Sequence, residues 1–248
     1  MIEYFAEFMG TLILILLGNG VVANVVLKNT KGEKGGWFLI SAGWGIGVFV
    51  AVLLVGPISG AHINPAVTLG LAFSGLFEWS RVVPFIIAQM LGAMAGGWLV
   101  YLFYHNHFLI TENPDSKMAC FCTAPNIRNK KSNFLSEVVG TFVLIFAVLF
   151  INLPSVEIEG IENVKVGLGS LEALPVGLVV FAIGMSLGGT TGYAINPARD
   201  LGPRIVHALI PMKGKRDSDW GYSWIPVMGP VVGAGIAALL YYFIIWMS

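Results

Sequence analysis

Long apolar runs, broken by short polar connections, set the pattern of this chain. Six of them, near 4–27, 37–56, 82–103, 133–152, 171–188 and 224–246, are long enough to cross a hydrocarbon core, which takes roughly 20 apolar residues. Lipid leaves the backbone no partner but itself, so each run is predicted to be a helix. The first run is too long for the apolar core of a signal peptide, and no small-residue cleavage site follows it. The expected fold class is an all-α membrane protein, with residues 1–248 forming a single transmembrane domain.

The runs fall into two related halves. AEFMGT at 6–11 and SEVVGT at 136–141 align Glu7, Gly10 and Thr11 with Glu137, Gly140 and Thr141 at an offset of 130. SGAHINPAVTLG at 59–70 aligns with TTGYAINPARDLG at 190–202, setting Asn64 opposite Asn196 at an offset of 132. Repeat one covers about 1–104, a loop spans 105–132, and repeat two covers about 133–248. Each half has three spans, an odd number, so the second copy enters the membrane from the opposite side. Folds built this way often place their functional site near mid-membrane, where broken helices meet.

The two INPA segments are predicted to be those broken helices. In each, Asn is placed to cap the helix and Pro to occupy its first position. A helix from Pro65 to Leu76 is about 18 Å long at roughly 1.5 Å per residue, enough to reach halfway across. Gly56, Pro57, Ser59 and Gly60 before the first, and Gly188, Gly189 and Gly192 before the second, read as non-helical backbone. Such backbone survives at membrane depth only when buried in protein or lining a wet cavity.

Composition narrows the function. Only 11% of residues are charged and net charge is zero, which argues against a nucleic-acid or polyanion partner. Cys120 and Cys122, one residue apart in a polar segment, are too close for an ordinary disulfide and too few for a zinc site, so free thiols are expected. No nucleotide loop, catalytic triad or metal cluster is visible, so no enzyme, cofactor or metal is expected. The cations raise a conflict. With both termini on one side, that side holds only Arg81 and Lys165. The other holds Lys28, Lys31, Lys34, Lys117, Arg128, Lys130, Lys131, Arg204, Lys213, Lys215 and Arg216. The positive-inside rule places that second set in the cytoplasm.

Two N-P-A motifs, Asn64-Pro65-Ala66 and Asn196-Pro197-Ala198, in an inverted repeat of six spans resemble the aquaporin superfamily over essentially the whole chain. The resemblance implies six tilted helices plus two re-entrant half-helices, one pore per protomer, a homotetramer in the plasma membrane, and cytoplasmic termini. Each half-helix presents about half a positive charge at its N-terminus, and two facing N-termini disfavour cations and protons. On this reading Asn64 and Asn196 aim amide donors at the passing solute. Arg199, an intramembrane charge and so a functional candidate by default, stands where the family has its selectivity-filter arginine. The competing reading is a buried ion pair with Asp200.

By spacing, Trp44, Gly184 and Tyr193 match the remaining filter positions of the glycerol-facilitator branch. Two aromatic faces would take the carbon backbone of a polyol, Arg199 would donate to its hydroxyls, and Gly184 would leave the width an imidazole fills. Tyr193 is a departure, since the best-known glycerol facilitator has Phe there. Asp200, Arg204, Pro226, Val227 and Tyr104 also side with the glycerol branch. The family uses Glu7 and Glu137 to hold the re-entrant loops, and His62 resembles a loop-bracing histidine. Gly92/Gly96 and Gly229/Gly233 read as close helix crossings, and Trp37, Trp224 and Trp246 as interfacial anchors. The implied activity is passive conduction of glycerol, other small neutral solutes and water through the bilayer, with ions and protons excluded. Water-only conduction and coupled transport are the alternatives.

Overall fold

The computed structural model describes residues 1–152, 155–158, 161–165 and 167–247. Helices α1 (Ile2–Val26), α2 (Gly36–Ser59), α4 (Trp79–Phe103), α7 (Lys130–Phe150), α8 (Leu174–Leu187) and α10 (Ile225–Met247) form the bundle. Among the described residues, six helices are long and apolar enough to cross a membrane, counting the 3₁₀ turn Gly169–Ala173 with α8. Two shorter helices, α3 (Pro65–Phe73) and α9 (Pro197–Leu209), follow the motifs, and α5 (His105–Ile110) and α6 (Pro114–Ala119) lie in the long connection.

Packing follows the repeat. Helix α1 lies against α2 and α4, α7 against α10, and α2 crosses α8 between the halves. Close approach is set by missing side chains: a β-carbon on Gly92 would stand 2.2 Å from the Phe8 carbonyl oxygen, and one on Gly233 would stand 2.4 Å from that of Val138. Those two crossings were expected from sequence. A third was not. Gly45 of α2 and Gly177 of α8 meet so closely that a β-carbon on either would be under 3 Å from the other's carbonyl oxygen.

Several boundaries differ from expectation. The first half-helix stops at Phe73, about 14 Å from its start at 1.5 Å per residue, because Gly75 turns into the left-handed region at φ 69°. Helix α2 runs through Gly56 and Pro57 to Ser59, so non-helical backbone begins only at Gly60, φ 82°. Within this all-α fold a short antiparallel hairpin, β1 (Ser155–Ile158) with β2 (Ile161–Lys165), lies in the connection between α7 and α8. The alternation in Val156-Glu157-Ile158 is a strand signal that lies outside the long apolar runs. The 105–132 connection is also more than a loop. Phe108, Cys120 and Phe121 join Leu27, Val100 and Ile210 in a second small core. Both cysteines are free thiols, as expected, and both are buried.

Candidate functional site

The two half-helices meet tip to tip. Asn64 caps α3 by accepting from the Ala66 amide at 2.8 Å, and Asn196 caps α9 by accepting from those of Ala198 and Arg199 at 3.0 and 3.1 Å. Each side-chain amide then donates across the junction. Asn64 Nδ2 donates to the Ile195 carbonyl and Asn196 Nδ2 to that of Ile63, both at 2.9 Å. One N–H of each amide is thereby used to fix its pose, and one remains. Pro65 and Pro197 hold the first helical positions, and Ala66 and Ala198 are wholly buried behind the tips.

Strained backbone leads into each cap. Ala61 and Ile63, and their repeat partners Tyr193 and Ile195, all have positive φ, between 38° and 49°. For bulky or β-branched residues this region is unfavourable and must be held from outside. Glu7 does so in repeat one, accepting from Ser59 Oγ and the amides of His62 and Ile63 at 2.7–2.9 Å. Glu137 does so in repeat two, accepting from Thr191 Oγ1 and the amides of Ala194 and Ile195 at 2.7–3.1 Å. Both carboxylates are fully buried. Gln89 was missed in sequence, although a lone amide in an apolar span is a signal. It donates to Glu7 at 2.7 Å and to Thr68 at 2.9 Å. Thr68 in turn meets His62 Nδ1 at 3.1 Å, and the His62 ring packs on Phe77 and Phe85.

Two cavities adjoin one another here, and the first includes the junction itself. The inner one, about 120 Å³, is lined on one side by the 60–63 and 193–196 segments and on the other by apolar side chains such as Leu14, Val48, Val67 and Val180. One water needs roughly 10–15 Å³ on this measure, so there is room for a short file of small molecules. The outer cavity, about 440 Å³, is bordered by Trp37, Ile40, Thr123, Asn126 and Gly189. Trp44, Tyr193 and Arg199 are common to both, which puts these three at the boundary. The Arg199 guanidinium lies over the Trp44 ring, 4.3 Å from its centre. Arg199 Nη1 and Trp44 Nε1 are buried without a hydrogen-bond partner in the protein.

Gly184 lines neither cavity. A β-carbon there would be 2.8 Å from the Tyr193 ring and hydroxyl, so the tyrosine itself fills the space the glycine leaves. Trp44 is seated by a second glycine absent from the sequence reading, since a β-carbon on Gly18 would strike its ring at 2.3 Å. Asp200 pairs with Arg204 at 2.8 Å rather than with Arg199. Tyr104, at the end of α4, packs against the second core, and Tyr104, Pro226 and Val227 line neither cavity.

The family model described as Major intrinsic protein matches residues 1–241. A probable glycerol uptake facilitator protein of Thermotoga maritima is 55% identical over 238 residues, covering 96% of this chain and 97% of that one. The glycerol uptake facilitator protein of Streptococcus pneumoniae is 50% identical, with 96% and 97% covered. Among solved structures, the aquaglyceroporin of Plasmodium falciparum superposes with a TM-score of 0.81 at 33% identity, over 96% of this chain and 94% of that one. With six apolar helices, two half-helices joined at their tips and a sequence match over nearly its whole length, the chain is a multi-pass membrane protein that belongs to the major intrinsic protein family.

Proposed function

We propose that this protein is a passive channel for glycerol and other small uncharged solutes, that it also conducts water, and that it excludes ions and protons. The observation that carries this reading is the boundary between the cavities. An aromatic pair and two unpartnered donors, Trp44 Nε1 and Arg199 Nη1, occur together there. Rings suit the carbon edge of a polyol, and buried donors without protein partners suit its hydroxyls. Trp44, Tyr193 and Arg199 are the filter, with Gly184 seating Tyr193 from behind. Asn64 and Asn196 use their remaining N–H groups on the solute, at the point where the positive ends of α3 and α9 oppose a cation. The names of the facilitator relatives support glycerol as substrate.

Coupled transport would need carboxylates open to the solute path. Glu7 and Glu137 are instead saturated by the loops they brace. The channel works in the plasma membrane as a homotetramer with cytoplasmic termini, surrounded by lipid. The test is stopped-flow light scattering on proteoliposomes. Glycerol should enter faster than into empty vesicles without a membrane potential or pH gradient. Glycerol entry no faster than in empty vesicles overturns the reading.

A further inference from the structure

One wholly buried ion pair lies outside the pore wall. Arg204 and Asp200, one turn apart on α9, are 0% exposed. All five Arg204 donors are used: Nε and Nη2 on Asp200 at 2.8 and 3.0 Å, Nη2 also on the Thr123 carbonyl at 2.9 Å, and Nη1 on the carbonyls of Ser218 and Asp219 at 2.7 and 3.2 Å. Asp200 Oδ2 further accepts from the Thr123 amide at 2.8 Å and from its hydroxyl at 2.6 Å. Burying two charges is costly, and apolar residues of similar volume often serve stability as well or better. A saturated network is better suited to specifying one geometry.

That geometry concerns the outer cavity. Thr123 is gripped from three directions, and its neighbours Cys122, Ala124 and Asn126 form part of the outer wall. Thr123 also lies close beside the filter segment, where a β-carbon added to Gly192 would be 3.3 Å from Thr123 Cγ2. Asn126 stitches the same strip to the other side of that segment through the carbonyls of Gly189 and Thr190. Tyr193 follows Gly192 directly, with its ring packed on Trp37. We propose that Asp200 and Arg204 are positioning residues for solute selection, holding Thr123 against Gly192 so that Tyr193 keeps its pose at the boundary of the two cavities. The inference rests on the glycerol-channel reading and adds to it a control outside the residues that touch the solute.

The experiment compares the parent channel with Thr123→Val, Thr123→Ala and Thr123→Ser in proteoliposomes, measuring glycerol, erythritol and water permeability per channel. Losing the hydroxyl should let the strip drift from Gly192. Because small misplacements at a selective site change rates strongly, the glycerol-to-erythritol ratio should fall about threefold or more in the Val and Ala variants. Thr123→Ser keeps the hydroxyl bond to Asp200 but loses Cγ2, so its ratio should lie above those of the Val and Ala variants and at or below that of the parent. A second readout uses Cys122, which is buried beside the clamp. In a Cys120→Ser background its modification by a small methanethiosulfonate should be slow in the parent and about tenfold faster without the hydroxyl, because thiol reactivity follows access. Loss of all three permeabilities in proportion, or an unchanged ratio with an unchanged thiol rate, overturns the proposal. A parent channel that passes no glycerol overturns the substrate reading instead, and the thiol rate still tests the clamp.

Discussion

Gly184 matters through the side chain it lacks. The Tyr193 ring and hydroxyl occupy the space beside its α-carbon and meet Ser41 there. Gly184→Ala therefore cannot be accommodated without moving Tyr193, which borders both cavities beside Arg199 and Trp44. A packed site resists such stretching. Glycerol permeability should fall about tenfold relative to water in Gly184→Ala, and further in Gly184→His, by the misplacement cost expected at a fitted site. Paired stopped-flow measurements on both variants check this, and an unchanged glycerol-to-water ratio would refute it. Tyr193→Phe removes one hydroxyl and keeps the ring, so glycerol permeability should be equal or higher. At this scale the sequence exposed residues whose neighbours travel with them in a motif, such as Asn64, Asn196 and Arg199. It hid those defined by distant partners. Gly18 is recognisable only once Trp44 is packed against it, and Thr123 only once α9 brings Asp200 to it.

Among elements, the re-entrant segments are the ones that need outside help. Their isoleucines sit at positive φ, and in repeat two the Ala194 and Ile195 amides find their partner on α7, in Glu137. Removing that carboxylate orphans both amides and the Thr191 hydroxyl, at about 1–3 kcal/mol for each buried unsatisfied group. Glu137→Ala should therefore lower thermal stability in detergent by several kcal/mol, whereas Glu137→Gln, which retains one acceptor oxygen, should lose less. Thermal unfolding followed by tryptophan fluorescence gives the order. Equal losses would mean that the bracing is not by hydrogen bonding. Pairing of Glu7 with Glu137 was readable from the repeat, and the structure extends it to Ser59 with Thr191 and His62 with Ala194. The end of α3 was not, because an apolar run continues to Leu76 while a turn at Gly75 ends the helix. Hydropathy locates what lipid can hold, and it does not report where a buried helix stops.

For the whole molecule, the repeat architecture and the distribution of charge point to opposite faces looking inward. The inverted repeat was legible from two offsets, but its contact at Gly45 and Gly177 was not, since neither glycine belongs to a motif. Eleven Lys and Arg on one face argue for that face being cytoplasmic, yet several of them are committed within the fold. Arg204 is buried against Asp200, and Lys117 donates to the Lys213 carbonyl. Lys215 holds the carbonyls of His207, Ala208 and Ile210 at the end of α9. Arg128 pairs with Asp219 and Arg216 with Asp115. The count that opposes cytoplasmic termini is therefore weaker than it looks, because these side chains are held by specific partners. We expect the termini to face the cytoplasm. In a background lacking Cys120 and Cys122, single cysteines at exposed Lys31 and Glu78 report opposite faces. A membrane-impermeant maleimide applied to intact cells should label Lys31→Cys readily and Glu78→Cys only after the cells are opened. The reverse pattern would show that the lysine-rich face is cytoplasmic, and that the charge rule governs this chain after all.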